Sequence, residues 1–437
     1  DSDSTTAFPT LSRTEALPYA QAFADQVLHA PESVKLTAQK ESGQVGARTY
    51  GFQAQLLLYG LSSPIGVWVE VDTRDGTVVG YQRDDLYQTY LNEPIDPAPY
   101  GDMADKAASL LKGTLKLKLE YVPDESDPGR AVLRYVPVYG DDYYVDAATG
   151  ELVNLTQLYQ DLEKSEGDNA ASGGGAESGD GSNSLTDVEQ EGIAQMARAW
   201  SKEDLDKKAR TFAALKLDGW TLYSCSYQLN RESGEVKATL RYTRDQEGSS
   251  SRTITLDGKT GALLSASGYA WTGEDYTPAV SQQTAQKTAE DFLASLWGEQ
   301  WKSCALYEST SAGDGNRVHV FTFAQKVNGY FYPTNSITVG VDSADGTILR
   351  LSRSFDSTPT FDDPAGVITE QAALDAWFAT YTVPPGYTAV PRRLDRYGSQ
   401  YQDLIARGYT YLMGLELGCT LERDQSLLGI DAKTGQP

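Results

Sequence analysis

A short motif occurs five times in this chain of 437 residues: an apolar residue, Asp, two variable residues, Asp or Thr, and Gly. The copies end at Gly76, Gly150, Gly261, Gly346 and Gly435. An alternating apolar run enters each Asp, and in four copies another run leaves the Gly, which is the pattern of a strand, a tight turn and a strand. Asp can bond the N–H groups of a turn, and Gly tolerates a positive φ. The motif therefore predicts a repeat protein.

Helix starts precede the turns at a nearly fixed distance. With Ser12, Ser281 and Thr369 as N-caps, the turn Asp follows after 60, 61 and 62 residues, and each cap has Ala four residues later. Residues 12–15 and 186–189 read as capping boxes, in which a hydroxyl and a carboxylate satisfy N–H groups at the helix end. Each unit is therefore predicted to be a helix followed by strands, with the small Ala packed close to the sheet.

Composition divides the chain at a predicted flexible linker, residues 161–184, because Ser165–Ser184 is rich in Gly, Ser and Asp and almost lacks apolar residues. The second unit is compressed, and Asn328-Gly329 between two alternating runs predicts a hairpin. The predicted domains are 1–160, with units at about 9–90 and 100–160, and 185–437, with units at about 185–270, 280–356 and 367–437. The expected fold class is α+β, with repeated units of one helix packed on a curled antiparallel β-sheet.

Charge excludes some partners. The net charge is −24 and the pI is about 4.5, so the chain would repel a phosphate backbone, and we expect no nucleic acid partner. No window reaches the roughly 20 apolar residues that a membrane-spanning helix needs. The polar start at residues 1–6 is typical of a tether after a cleaved signal or lipid-anchor segment, or of an arbitrary cut in a longer chain, and the end directly after a turn leaves open that the parent protein continues.

The turns, the helix starts and the fourth unit together resemble known families. A helix opened by Ser or Thr, then strands, then apolar-Asp-x-x-Thr/Asp-Gly resembles the PepSY domain. The fourth unit, with Val327-Asn328-Gly329, Ser336–Val339 and Val341-Asp342, is similar to the YcdB/YcdC-type repeated domain of Firmicutes envelope proteins. The resemblance implies a PepSY/cystatin-like fold in a secreted or membrane-anchored Gram-positive protein, without enzymatic activity, that binds or restrains a peptidase.

Catalytic motifs are not found in the sequence. The two histidines, His29 and His319, are nearly 300 residues apart and are predicted to be structural. The sequence contains no His-Glu-x-x-His run and no Gly-x-Ser-x-Gly elbow. Gly258-Lys259-Thr260 lacks the first Gly of a phosphate-binding loop and is interpreted as a turn. We therefore expect no catalytic residue and no cofactor.

Metal and disulfide sites are weakly indicated at most. The pairs Asp72/Asp75 and Asp342/Asp345 offer oxygen ligands that calcium prefers, but too few of them and at the wrong spacing, so turn stabilisation is the favoured role and calcium stays a weak alternative. The three cysteines, at 225, 304 and 419, form no close ligand pair and no disulfide framework.

Aromatic composition indicates where a partner would bind. The chain has 27 Tyr and 7 Trp against 11 Phe, and Tyr and Trp suit both half-exposed sheet faces and contact surfaces. The clusters Tyr330-Phe331-Tyr332 and Tyr397 with Tyr401 are predicted as the possible binding surface, although packing within the fold is the more common role of such residues.

Three functions remain open from the sequence. The first is a non-catalytic extracytoplasmic protein, secreted or anchored to the cell envelope, that binds a protein or peptide through sheet edges or grooves. The second is a structural spacer or surface-display module of the envelope. The third is a hydrolase whose carboxylate site is assembled only by the tertiary fold.

Overall fold

The computed structural model describes residues 11–38, 48–83, 94–138, 140–163, 199–230, 233–244, 251–269, 277–313, 316–355, 358–381, 383–394, 398, 401–407, 409, 411–421 and 429–437. The fold is α+β, as predicted, and its sheets are almost entirely antiparallel. No helix in these ranges has the length and apolarity that crossing a membrane requires.

Seven helices are present in the described ranges: α1 (Arg13–Val27), α2 (Met103–Lys112), α3 (Leu155–Glu163), α4 (Lys202–Arg210), α5 (Gln282–Trp301), α6 (Glu370–Thr380) and α7 (Tyr401–Ala406). The strands are β1 (Glu32–Val34), β2 (Thr49–Leu58), β3 (Leu61–Asp72), β4 (Val78–Arg83), β5 (Lys116–Pro123), β6 (Arg130–Val138), β7 (Tyr143–Asp146), β8 (Leu152–Asn154), β9 (Thr221–Leu229), β10 (Val236–Thr243), β11 (Ser251–Asp257), β12 (Leu263–Gly268), β13 (Cys304–Thr310), β14 (Val318–Val327), β15 (Tyr330–Asp342), β16 (Ile348–Ser354), β17 (Thr360–Phe361), β18 (Pro385–Arg393), β19 (Tyr411–Thr420) and β20 (Ile430–Asp431).

The helix starts agree with the caps read from the sequence. Ser12 forms a complete capping box with Glu15, and the hydroxyls of Ser281 and Thr369 each accept an N–H three residues on. The Ala four residues after each cap is fully buried: Ala16, Ala285 and Ala373. The box predicted at 186–189 lies outside the described residues, and the first described helix after it, α4, has Ser201 as its N-cap.

The five Asp-Gly turns share one hydrogen-bond pattern. In each turn the Gly N–H donates to the Asp carbonyl, and the Asp N–H donates to the carbonyl five residues on, at 2.7–3.0 Å. The Gly has a φ between +68° and +79°, a conformation that other residues rarely adopt. The turn is thus the structural unit that repeats.

The alternation of Asp and Thr inside the motif has a simple cause. The Oδ1 atoms of Asp75 and Asp345 accept the N–H two residues on at 2.9 Å, and the Thr149 Oγ1 accepts the equivalent N–H at 3.2 Å. Either side chain therefore serves the same acceptor role, and the turn needs no second carboxylate.

The Asn328-Gly329 hairpin is also confirmed. Val327 pairs with Tyr330 across the turn, and Asn328 and Gly329 both have positive φ, at 52° and 90°. This is the backbone that a two-residue hairpin turn requires.

The first four strands and the middle eight form two regular sheets. The first sheet has the order β1-β2-β3-β4, and the buried side of α1 packs on it. The second has the order β13-β14-β15-β16-β12-β11-β10-β9, with α4 and α5 sharing one core beneath it. The third and fourth predicted units are thus joined edge to edge.

Two further sheets combine strands of the second and fifth predicted units. One has the order β18-β19-β7-β8, and in the other β6 lies between β5 and the short strands β17 and β20. The strand that enters each turn Asp pairs with a hairpin of the other unit, β7 with β19 and β20 with β6. The second and fifth units therefore differ from the predicted arrangement of one helix on a sheet of its own unit, because each supplies a strand to a sheet of the other.

Equivalent hydrogen bonds identify this exchange residue by residue. In every turn, the residue after the Asp donates its N–H to a backbone carbonyl of a neighbouring strand. In the first, third and fourth units this carbonyl belongs to the same unit: Thr73 donates to Arg48, Gly258 to Val236 and Ser343 to Arg317. In the second unit Ala147 donates instead to Leu417, and in the fifth Ala432 donates to Leu133. The bond is the same, and only the unit that supplies the acceptor changes.

The exchanged sheets are covered by helices from both parts of the chain. Ala107 and Leu111 of α2 pack with Cys419 of β19, and Trp377 of α6 packs with Leu133 of β6. The helix α3 extends to Glu163, so the first residues of the predicted linker are helical, and residues 164–198 lie outside the described ranges. Residues before and after this linker therefore share two sheets and the hydrophobic cores packed on them.

Candidate functional site

The eight-stranded sheet contains a cleft at its centre. Its halves meet at β12 and β16, whose ladder has two residue pairs, Ala266 with Leu351 and Ser267 with Arg350. Toward Leu263 and Ser354 the strands diverge, and a cavity of about 550 Å³ opens between them. Over this stretch β12 pairs with β11 and β16 pairs with β15, so each strand turns its other edge to the cleft.

The residues next to the two pairs differ between the closed and the open side. On the closed side Gly268 has no side chain, and Leu349 packs there with an exposed fraction of 3%. On the open side the equivalent positions hold Ser265 and Ser352, which line the cleft, as do Leu264 and Arg353 one position further on. The closed side is therefore packed, whereas the open side leads into the cavity.

The cleft has an aromatic end and a polar side. The guanidinium carbon of Arg353 lies 5.1 Å from the ring centroids of both Trp297 and Phe355, which is cation–π geometry. Residues on the outward face of the sheet supply the polar side, among them Lys237 and Thr239 of β10. The full lining is Gln228, Glu235, Lys237, Thr239, Thr255, Asp257, Leu263, Leu264, Ser265, Trp297, Ser352, Arg353 and Phe355.

The cleft contains two acids, but one of them serves a turn. Asp257 Oδ1 accepts the N–H groups of Lys259 and Thr260 and the Thr260 hydroxyl, at 2.7–3.0 Å. Glu235 Oε2 accepts from the Ser233 hydroxyl at 3.2 Å. These contacts tie both carboxylates to residues of neighbouring turns.

The chemistry of the cleft matches an extended polypeptide. A strand edge presents main-chain N–H and C=O groups that another extended chain can bond, and alternate side chains of that chain point to opposite sides. One side here offers Trp297 and Phe355, and the other offers Lys237, Thr239 and Thr255.

The predicted aromatic cluster packs inside the fold. Tyr332 is 3% exposed, so for this residue the structure shows the packing role that the sequence favoured. Its ring meets that of Phe361 at 5.3 Å, and Phe331 meets Tyr307 at 5.2 Å, both edge to face. The side chains of Tyr397 and Tyr401 lie outside the described residues.

The β14–β15 hairpin packs against β5 and forms a junction there. Tyr121 is fully buried there, accepts a hydrogen bond from the Asn328 side chain at 3.1 Å and donates its hydroxyl to the Asp362 carbonyl at 2.6 Å. Tyr330 packs against the Tyr121 ring at 6.4 Å. The hairpin that the sequence offered as a binding surface therefore joins the fourth unit to the N-terminal part.

The same junction holds two charged groups of β5 against aromatic rings. The Lys118 Nζ lies 3.3 Å from the centre of the Tyr307 ring and 4.0 Å from the Glu120 carboxylate. The Tyr307 hydroxyl donates to Glu120 at 2.9 Å. Burial raises the pKa of Glu120, and the Tyr307 hydrogen bond and the Lys118 charge only partly oppose it.

Replacing Glu120 with Gln is expected to change how stability depends on pH. Because its folded pKa is raised, the folded state binds more protons than the unfolded state between the two pKa values, and Glu120 contributes most stability at low pH. Relative to Glu120→Gln, the natural protein should gain stability as the pH falls from neutral toward the unfolded pKa. Tyr307→Phe removes a hydrogen bond to the carboxylate and should steepen this trend. Urea unfolding across that range measures it, and a stability difference that does not vary with pH would contradict it.

Both histidines lie apart from the cleft. His319 is 5% exposed and uses both ring nitrogens, because the Ala312 N–H donates to Nδ1 at 3.0 Å and Nε2 lies 2.9 Å from the Val280 carbonyl. It therefore anchors the chain ahead of α5, as a structural histidine does. His29 is exposed after the end of α1.

The turn carboxylates that suggested calcium are occupied by protein groups. Arg317 makes a bidentate ion pair with Asp342 at 2.7 and 2.8 Å. Hydrogen bonds from Arg74 hold the pKa of Asp72 down to about 2. Among the described residues, no group of three or more His, Cys, Asp or Glu side chains could hold a metal ion.

The three cysteines are free thiols and lie in separate places. Cys419 is buried in the exchanged sheet, and burial raises its pKa to about 11. Such a thiol is a packing residue and not a nucleophile.

Sequence reasoning missed the cleft because its residues are ordinary strand residues. Thr239, Thr255 and Ser265 carry no motif, and the divergence of β12 from β16 depends on two units meeting edge to edge. One signal was available: the exposed positions of β10 and β11 alternate with apolar residues and mark a solvent-facing side of a sheet.

Comparisons with known proteins agree with the resemblance in the middle of the chain. Residues 202–354, about a third of the chain, match the family described as the YcdB, YcdC repeated domain. A solved structure, the Bacillus megaterium YpeB C-terminal domain, is similar over 55% of this chain and 96% of that chain, with 17% identity and a TM-score of 0.33. No curated protein matches. The family match confirms the YcdB/YcdC resemblance over residues 202–354.

Proposed function

We propose that this is a non-catalytic extracytoplasmic binding protein whose cleft between β12 and β16 receives an extended segment of a partner polypeptide. The observation that supports it most is that two strands of one sheet part around a cavity of about 550 Å³. Backbone edges recognise an extended main chain of almost any sequence, and the side chains around them add selectivity.

The lining favours a particular side-chain pattern in the partner. Side chains of an extended segment alternate in direction, so every second one would meet Trp297 and Phe355 while the others meet Lys237 and Thr239. A segment that alternates apolar with polar residues fits this arrangement.

Location and partner class follow from the family resemblance. It favours a secreted or envelope-anchored protein of a Gram-positive bacterium and a peptidase as the partner, which binding would restrain. In the same proposal the chain contains five PepSY-like units, and the exchange between the second and fifth closes them into one scaffold that presents the cleft.

Filling the cleft is expected to weaken partner binding by about tenfold or more. Thr255 lines the cleft, whereas Thr253 lies on the same strand and the same face but outside it, so Thr255→Trp and Thr253→Trp form a matched pair. The immobilised chain is exposed to secreted and envelope proteins of the cells that make it, at low and moderate salt, and retained polypeptides are identified by mass spectrometry.

The expected result is one polypeptide that the natural chain and Thr253→Trp retain and that Thr255→Trp loses about tenfold or more. Equal loss in both variants, or in neither, would place binding elsewhere. Retention of no specific polypeptide would instead favour the envelope-spacer hypothesis.

A further inference from the structure

The free edge of the first sheet repeats the strand that joins the third and fourth units. β4, β12 and β16 each leave an Asp-Gly turn and pair with the preceding strand through the same bulge. β12 and β16 also pair with each other, whereas β4 pairs with β3 and is the last strand of its sheet among the described residues. The same kind of edge is covered in two units and uncovered in the first.

The residues paired at the β12–β16 joint lie at equal distances along the chain from their own Asp-Gly turns. Ala266 stands five residues after Gly261, Leu351 stands five residues after Gly346, and the two lie opposite each other. An antiparallel pair centred on equivalent residues has a local two-fold axis, and a two-fold joint is one that a strand can make with a second copy of itself. In β4 the equivalent residue is Tyr81.

Exposure supports the comparison. Ala266 and Leu351 are 4% and 1% exposed, but Tyr81 is 38% exposed although it faces the core side, opposite the fully buried Val69. At the bulge, Leu349 is 3% exposed where the joint covers it, and Val79 is 53% exposed. The first unit thus leaves uncovered the central position, which the joint buries in both β12 and β16, and the bulge position, which the joint buries in β16.

Neighbouring side chains extend this surface. The Phe23 ring of α1 meets Tyr81 edge to face at 5.6 Å, and Tyr19, 47% exposed, lies against Gly76 of the turn. We call Tyr19, Phe23, Val79 and Tyr81 the β4 patch. An apolar patch beside an open strand edge is a surface that proteins usually cover.

We propose that the β4 patch is an interface between two copies of this chain, which pair β4 with β4 antiparallel and centre the joint on Tyr81. The resulting sheet would have eight strands, as in the pairing of the third and fourth units. Gly80 would lie opposite Gln82 of the other copy, so no like charges face each other, and Arg83 is neutralised by Glu32 at 2.9 Å.

Charge sets the conditions for this association. Each copy carries −24, so two copies repel at long range, and salt screens that repulsion. The joint has few paired residues, so we expect a dissociation constant of about 10–100 µM. The dimer should be tighter at about 0.5 M than at about 0.15 M salt.

Sedimentation of the full chain measures this self-association at both salt concentrations (about 0.15 and 0.5 M). Chain concentrations from about 5 to 200 µM cover the expected dissociation constant of about 10–100 µM. Val79→Lys places a charge opposite the like-charged Arg83 of the other copy and should leave a monomer throughout. Tyr223→Lys, at a 76% exposed residue of β9 on the edge of the other sheet, is the control and should still dimerise. A monomer in the natural chain at every concentration, or a dimer that Val79→Lys does not weaken, would overturn the proposal.

A second pair of variants tests the register. Tyr81→Cys places two thiols opposite each other across the two-fold axis, where a disulfide can form, whereas Gln82→Cys places each thiol opposite Gly80. Oxidation should therefore link Tyr81→Cys chains covalently and leave Gln82→Cys chains mostly unlinked. Equal or faster linking of Gln82→Cys would overturn the proposed joint, and the outcome does not depend on Val79.

Discussion

Cutting the chain inside residues 164–198 is expected to leave its two parts bound to each other. β7 and β8 precede the cut and share a sheet with β18 and β19, which follow it, and β6 likewise pairs with β20 and β17. Two shared sheets and their cores must come apart before the parts separate, so we expect no dissociation at about 1 µM.

A specific protease site inserted at Gly173 provides the cut, and size-exclusion chromatography in native buffer and in urea provides the measurement. The control is a cut inside residues 84–93. It frees a first unit whose sheet contains no strand from elsewhere in the described chain and which contacts Tyr387, Leu415 and Leu417 through side chains. That fragment should be released at lower urea. Native elution of the two halves as separate species would contradict the exchange.

Adding a single methyl group at either seam of the exchange is expected to cost about 2–4 kcal/mol of the free energy of unfolding. Gly418 lies opposite Asp146, and a Cβ there would overlap the Val145 carbonyl. Gly429 has a φ of +92°, and a Cβ there would overlap the Tyr135 carbonyl. In both places the obstacle is backbone of the other unit, which cannot move aside as a side chain can.

Gly101→Ala is the matched control, because an added Cβ at Gly101 meets nothing within 4 Å and the residue has a helical φ of −63°. It should change stability by less than about 1 kcal/mol. Urea unfolding compares Gly418→Ala and Gly429→Ala with this control. Losses no larger than that of Gly101→Ala would mean that the two seams are not closely packed.

The features that the sequence predicted are those with local causes. The Asp-Gly turns, the Ser12 capping box and the Asn328-Gly329 hairpin each depend on hydrogen bonds within about six residues, so their residue types are sufficient to predict them. The burial of Ala16, Ala285 and Ala373 follows from the same repeat.

The exchange has no such local cause. All units present similar strand edges, and β6 and β7 are only four residues apart, a distance typical of an ordinary hairpin. Which strand fills each edge is decided by tertiary packing, as Ala147 and Ala432 show by bonding to the other unit. The compressed spacing of the second unit was the one visible sign that it departs from the rest.

The environment of the predicted aromatic cluster likewise depends on tertiary packing. Tyr330, Phe331 and Tyr332 follow a hairpin tip, a position that is commonly exposed, but the tip leans on β5 and Tyr332 is buried. The candidate cleft instead consists of residues such as Thr255 and Ser265, whose significance depends on where two sheets part.

Photo-crosslinking from within the cleft tests the functional account most directly. Ser265 and Ser267 lie on the same face of β12, but Ser265 lines the cleft and Ser267 pairs with Arg350 in the joint. A photo-reactive residue at each position is activated in the presence of secreted and envelope proteins, and the linked peptides are sequenced. The account predicts one polypeptide segment linked from Ser265 and not from Ser267. Equal linking from both positions, or none from Ser265, would contradict it.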